Sequence, residues 1–261
     1  METITSKSNK KIVEAKKLLD KKGREKTGLF LAETEKVVKE LLNCKMRPKC
    51  FYVLEGKKFD FLNNSNIQIF YLTESVFKEI STLVTFDGVI GEFYQNQQKA
   101  EYNGGKFLIL DGLQNPDNFG AIMRTALACD FKNIYTINCV DKYNPKVIRA
   151  SMGNQFKLNI AEISLNDIEM FDNAKLYTAS MEGKNIFDID KFENNIGIVI
   201  GNEGNGVSAE LKNLINNTIS LPMENGIESL NASVSAGVIM YYIYSKQKWD
   251  FFTLCQKYFE K

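Results

Sequence analysis

Apolar residues recur along the chain with two periods, and the alternation between those periods sketches the fold. Residues 9–22 place Ile12, Ala15, Leu18 and Leu19 at helical spacing among lysines, which predicts an amphipathic helix with those four side chains inward. Residues 28–32 predict a short strand, and Thr34 stands as the cap of a second helix holding Val37, Val38, Leu41 and Leu42. Strands at 50–54, 67–72 and 89–93, with a helix near 74–80, complete a small α/β layer over residues 1–95. Residues 96–105 are polar, end in Gly-Gly and lack apolar periodicity, so they read as a linker. Beyond them, a strand at 107–110 leads through a polar loop to a helix over 118–129. Segments 134–137, 176–178 and 198–200 are near-continuously apolar, as in a parallel sheet covered on both faces. A strand holding Ile219 stops at Pro222, and a last helix spans 232–246. The chain therefore divides into an α/β domain at 1–95, a linker at 96–105 and a second α/β domain at 106–261.

Composition narrows the chemistry. The 261 residues include no histidine and five cysteines, at 44, 50, 129, 139 and 255, with no C-x-x-C pair. A zinc site is thereby excluded, and the thiols read as reduced and cytosolic. The start Met1-Glu2-Thr3 has no signal pattern, and no apolar run approaches the ~20 residues of a membrane span. Net charge is +1, yet residues 1–50 carry 14 Lys and Arg against 7 Asp and Glu. This basic segment points to an anionic partner such as RNA, and lysine-rich helices also serve as plain solvated faces.

Three stretches of the second half join backbone-permissive residues to polar groups. In Asp111-Gly-Leu-Gln-Asn-Pro-Asp-Asn-Phe-Gly-Ala-Ile-Met-Arg124, a loop leaves a strand's carboxyl end, Asn118 occupies an N-cap-like position and Arg124 follows six residues later. Only four of the 33 basic residues are arginine, so Arg124 stands there for its planar fork. Gly197-Ile-Val-Ile-Gly-Asn-Glu-Gly-Asn-Gly-Val207 ends a buried strand in a loop with three glycines that let backbone approach a ligand. It lacks the G-x-G-x-x-G spacing, and Glu203 would repel a pyrophosphate, so a cationic or hydroxyl-bearing ligand suits it better. Finally, Leu221-Pro-Met223 precedes Ser229-Leu-Asn-Ala-Ser-Val-Ser235. Capping explains one of Ser229, Asn231, Ser233 and Ser235 but not all four.

In order and spacing these stretches resemble the SpoU family of RNA 2′-O-methyltransferases, in the SPOUT superfamily, across residues 107–245. Asn144-Pro-Lys-Val-Ile-Arg-Ala-Ser-Met-Gly153 also looks like the family's segment between motifs. Residues 1–95 are similar to the ribosomal-protein-like substrate-binding domain that precedes such catalytic domains. Its Thr-Pro-x-Gly-Val ending stands here as Thr85-Phe-Asp-Gly-Val89, without the proline. The resemblance implies a SPOUT α/β domain with a deep trefoil knot, a cytoplasmic homodimer and the cofactor S-adenosylmethionine, with no metal. It implies cofactor contacts at Ala179, Ser180, Gly201, Asn202, Gly204, Leu221, Met223, Leu230 and Ala232, and catalytic positions at Asn118, Arg124, Glu203, Ser229 and Asn231.

Methyl transfer to a ribose hydroxyl needs in-line positioning and a proton acceptor or stabilised oxyanion. No histidine is present to serve, and the resemblance implies Arg124 as the activator of the hydroxyl, either binding the adjacent phosphate and developing negative charge or acting as a strongly perturbed base. Asn118 and Asn231 would hold the loop and the ribose, with Glu203 orienting Arg124 or Asn118. Residue type adds Arg149, Ser151, Lys21, Lys22 and Arg24 as RNA contacts. The apolar side of residues 238–244 is expected either at the dimer interface or in the core. The extra N-terminal domain favours ribosomal RNA as substrate. The alternatives are a tRNA ribose methyltransferase, a ribosome-directed antibiotic-resistance methylase, and a non-catalytic RNA-binding or ribosome-assembly protein.

Overall fold

A computed structural model of the chain describes residues 3–63, 66–96, 98–224 and 229–259, with side chains as far as Lys248. Met1, Glu2 and the Cys255 thiol lie outside them. The first elements are β1 (Thr3–Ile4), α1 (Lys10–Lys17) and α2 (Lys21–Thr27). The single helix expected over 9–22 is thus two, and Arg24 accounts for the break. Its Nη1 donates to the carbonyls of Leu18 and Leu19, each at 2.9 Å, which a continuous helix would have paired internally. Ile12, Ala15 and Leu18 are buried, whereas Leu19 is only partly so.

Next come β2 (Leu29–Glu33), α3 (Glu35–Asn43), β3 (Pro48–Leu54), β4 (Gln68–Leu72), α4 (Glu74–Phe77) and β5 (Val89–Tyr94). Thr34 caps α3 by accepting from the Val37 amide at 3.4 Å. The strands order as β1-β4-β3-β5-β2, with β5 antiparallel to β3 and β2 and the other pairs parallel. Because side chains alternate across a strand, Leu31, Tyr52 and Ile90 pack with α1 and α4 residues, while Phe30, Phe51 and Phe93 pack with those of α3.

The remaining elements are β6 (Lys106–Asp111), α5 (Pro116–Ala128), β7 (Asn133–Ile137), α6 (Pro145–Ala150), β8 (Asn159–Glu162), β9 (Lys175–Asn185), β10 (Ile196–Ile200), α7 (Ala209–Leu214), β11 (Thr218–Ser220) and α8 (Ala232–Phe259). Six strands order as β11-β9-β10-β6-β7-β8, every pair parallel. Burial on both faces explains the unbroken apolar runs of β6 and β10. β9 continues far beyond the expected 176–178. Its second half is largely polar, so no apolar run marked it, and it pairs with β11 across a bulge. Gly183 permits that approach, since a Cβ there would meet the Ile219 carbonyl carbon at 2.5 Å. α8 likewise outruns its expected end at 246.

The chain forms two compact units, Met1–Gln97 with Asp141–Phe156, and Gln98–Val140 with Lys157–Lys261. In the first unit, the segment 141–156 completes the core around α3. The Phe30 ring lies 4.9 Å from Tyr143 and 5.4 Å from Phe156, and the Tyr143 hydroxyl donates to the Asn96 carbonyl at 2.6 Å. Two expected RNA contacts are corrected here. Arg24 is 2% exposed, and its Nε meets Asp141 Oδ2 at 2.7 Å, so its donors serve the fold. Ser151 is fully buried, its hydroxyl donating to Gln155 Oε1 at 2.7 Å and accepting from the Gly153 amide. Lys21 and Lys22 are exposed. Arg149 is partly exposed, with Nη1 donating to Thr82 Oγ1 at 3.0 Å. Among the described residues, no helix is long and apolar enough to cross a membrane, and no group of potential metal ligands clusters.

Candidate functional site

The strand order of the second unit reverses between β6 and β10, so the loops leaving their carboxyl ends part and open a crevice, the usual ligand edge of such sheets. The loop after β6 enters α5 through Asn115, which is the N-cap. Its side chain accepts from the amides of Asp117 at 2.8 Å and Asn118 at 3.3 Å, with Pro116 at the first helical position. Asn118 is therefore not the cap that its surroundings suggested. It sits in the first turn, buried, with its amide group free for tertiary bonds.

Those bonds join all three motifs. Asn118 Nδ2 donates to Glu203 Oε1 at 2.7 Å, and Asn118 Oδ1 accepts from Asn231 Nδ2 at 2.9 Å. Asn231 Oδ1 in turn accepts from the Ser233 amide at 2.9 Å and the Val234 amide at 3.3 Å, which caps α8. Each amide thus donates toward Glu203 and accepts from the α8 side, a chain with one polarity that ends on a carboxylate. Of the two orientations expected for Glu203, it takes the one on Asn118.

The glycine loop is held just as firmly. Asn202 and Gly206 exchange backbone hydrogen bonds of 3.0 and 2.9 Å, and a Cβ on Gly201 would meet the Gly206 carbonyl carbon at 2.0 Å. Asn202 Nδ2 donates to the Gly112 carbonyl and its Oδ1 accepts from the Gly204 amide, both at 2.8 Å. Asp111 Oδ2 accepts from the Ser208 amide at 2.7 Å. Two side chains therefore tie this loop to the end of β6. The Asp111 bond was not foreseen, although a buried acid ending an apolar strand was a signal for it.

A cavity of about 480 Å³ lies against this loop. Ala179, Ser180, Gly201, Asn202 and Gly204 line it, as do Leu221, Met223, Leu230 and Ala232. Glu203 and Ser229 also face it, whereas Asn118 and Asn231 stand behind Glu203. The cavity also takes in Met181, Glu182 and Lys212, which lie on the polar extension of β9 and on α7. Neither element had been expected, so these three were missed. Arg124 is outside the lining. It is exposed on α5 and makes no side-chain hydrogen bond or ion pair among the described residues. Cys139 follows β7, its thiol donating to the Leu110 carbonyl at 3.2 Å. Burial pushes it up to about 12, so it stays a thiol at neutral pH.

Comparison with known proteins gives this geometry a context. A profile of the SpoU rRNA Methylase family matches residues 105–241, and one of the MRM3-like substrate binding domain matches residues 9–91. The chain is 29% identical over 248 residues to the 23S rRNA (guanosine(2553)-2'-O)-methyltransferase RlmP of Bacillus subtilis, covering 93% of this chain and 99% of that one. It is 25% identical over 288 residues to mitochondrial rRNA methyltransferase 3 of Homo sapiens, covering 84% and 68%. A crystal structure of an RNA 2'-O ribose methyltransferase matches with a TM-score of 0.81 at 25% identity, over 94% of this chain and 99% of that one. The SpoU methyltransferase AviRb of Streptomyces viridochromogenes, in complex with AdoMet, shares the fold with a TM-score of 0.85 at 20% identity, over 92% and 98%. The chain belongs to the SpoU rRNA methylase family.

Proposed function

We propose that this chain moves a methyl group from S-adenosylmethionine to a ribose 2′-hydroxyl of ribosomal RNA. The observation that carries the proposal is the bonded chain Asn231–Asn118–Glu203 behind a cavity of nucleoside size, in a member of this family. The residues present fit the cofactor. Leu221, Met223, Leu230 and Ala232 offer an apolar wall for an adenine, and the Gly201 and Gly204 backbone lies open beside it. Glu203 brings a carboxylate suited to a sulfonium. S-adenosylmethionine, when bound, supplies an electrophilic methyl group.

In this reading Ala179, Ser180, Gly201, Leu221 and Leu230 hold the adenosyl group, while Asn202, bonded to the Gly112 carbonyl and the Gly204 amide, shapes the floor. Arg124 binds the phosphate beside the target ribose and stabilises charge on the hydroxyl oxygen, whose proton passes to solvent water as the O–CH3 bond forms and the sulfur–methyl bond breaks. Its planar guanidinium acts here as hydrogen-bond donor and positive charge. Asn118, Asn231 and Ser229 fix the ribose and the loops. Residues 1–95 dock RNA through Lys21 and Lys22 on phosphates, joined by Arg149 from the segment 141–156 that packs with them, while residues 96–105 link and residues 106–261 carry the chemistry in the cytoplasm. The family resemblance further supports a trefoil-knotted C-terminal chain and a homodimer formed through α8, whose Val238 and Tyr241 are 39% and 53% exposed.

Mapping 2′-O-methyl positions in rRNA from cells with and without this gene tests the reading. One rRNA ribose is expected to lose its methyl group in the deletion strain. An unchanged rRNA map with a changed tRNA map would reassign the substrate.

A further inference from the structure

Among the described residues, three side chains lining the cavity carry charge, namely Glu203, Glu182 and Lys212. Glu203 is engaged by Asn118. Glu182, on β9, and Lys212, on α7, are exposed, and neither side chain forms a hydrogen bond or ion pair among the described residues. Two opposite charges that share one cavity without pairing are the donor set an α-amino-acid zwitterion requires. Its carboxylate takes an ammonium and its ammonium takes a carboxylate. The apolar and backbone part of the wall suits a nucleoside, but it offers nothing to such a zwitterion. Exposure keeps the cost of desolvating these charges low, so the pair can receive a charged group without a large penalty.

We propose that Lys212 and Glu182 form the subsite for the amino-acid end of the cofactor, Lys212 Nζ holding its carboxylate and Glu182 its ammonium. This rests on the reading of the cavity as an S-adenosylmethionine site. The test is calorimetric titration of the full chain with S-adenosylhomocysteine and with 5′-methylthioadenosine, which lacks the amino-acid end. Lys212→Met and Glu182→Gln are each expected to weaken S-adenosylhomocysteine about fivefold, the scale of a solvent-facing ion pair, and to leave 5′-methylthioadenosine unchanged. Equal weakening of both ligands, or of neither, overturns the subsite while leaving the cofactor reading intact. So does a Lys212→Met variant that loses only affinity for RNA, since Lys212 would then be a phosphate contact. A wild-type chain that binds neither nucleoside overturns the cofactor reading itself, and the subsite with it.

Discussion

Arg24 and Arg124 are two of four arginines in the chain, and the structure uses them in opposite ways. In the first unit Arg24 is buried, its guanidinium engaged by Asp141 and by the carbonyls of Leu18 and Leu19. In the second, Arg124 stands exposed on α5 with its donors unbonded among the described residues. The same planar fork serves both. What distinguishes a structural arginine from one available to a ligand is its set of partners, and those partners come from distant parts of the chain.

The contrast can be broken at either end. Arg24→Met leaves Asp141 without its cation and two carbonyls without a donor. It is expected to remove about 3 kcal/mol of stability, read by denaturant unfolding, and wild-type stability would end the structural assignment. Arg124→Ala should unfold like the wild type yet methylate rRNA about a hundredfold more slowly, the scale of losing one transition-state donor. Arg124→Lys sharpens this, since it keeps the charge and loses the fork; a wild-type rate there would rule out a bidentate role. Asn118→Ala lies between the two arginines in kind, interrupting a bonded chain that is both structural and beside the cavity. A loss of about 2 kcal/mol is expected, with weaker binding of S-adenosylhomocysteine. Unchanged affinity would mean that Glu203 keeps its place without Asn118.

The smallest expected effect concerns a surface charge of the first unit. Hydrogen bonds from Lys16 and Lys7 hold the Glu79 carboxyl down to about 2, against an ordinary 4.5. A depressed folded value means that its contribution is complete above pH 4.5 and fades as pH falls toward about 2. The melting temperatures of wild type and Glu79→Gln should therefore differ modestly at neutral pH and converge near pH 2, and a constant gap would refute this account.

Much of this architecture was legible along the chain because burial writes itself into period and run length. β6 and β10 are covered on both faces and read as strands at once, and α3 announced itself through Thr34 and its apolar stripe. Legibility failed where polar side chains do the structural work. The break between α1 and α2 depends on Arg24 reaching back to carbonyls, and the second half of β9 is held by pairing that leaves no apolar trace. At the site, motif residues could be named because they cluster locally, but their division of labour could not. Asn115 and Asn118 stand three residues apart with the same side chain. One bonds its own helix and the other bonds Glu203, 85 positions away. Lys212 and Glu182 carried no local signal.

The interleaving of Met1–Gln97 with Asp141–Phe156 has a consequence for biosynthesis. A ribosome releases the chain from its N-terminus, so Phe30 and Leu41 emerge well before Tyr143 and Ile148, which share their core. Domains commonly fold as they leave the exit tunnel, but this one must wait while β6, α5 and β7 are made. Nascent chains arrested after Gln97 should stay sensitive to protease, and those extended beyond Phe156 should resist it.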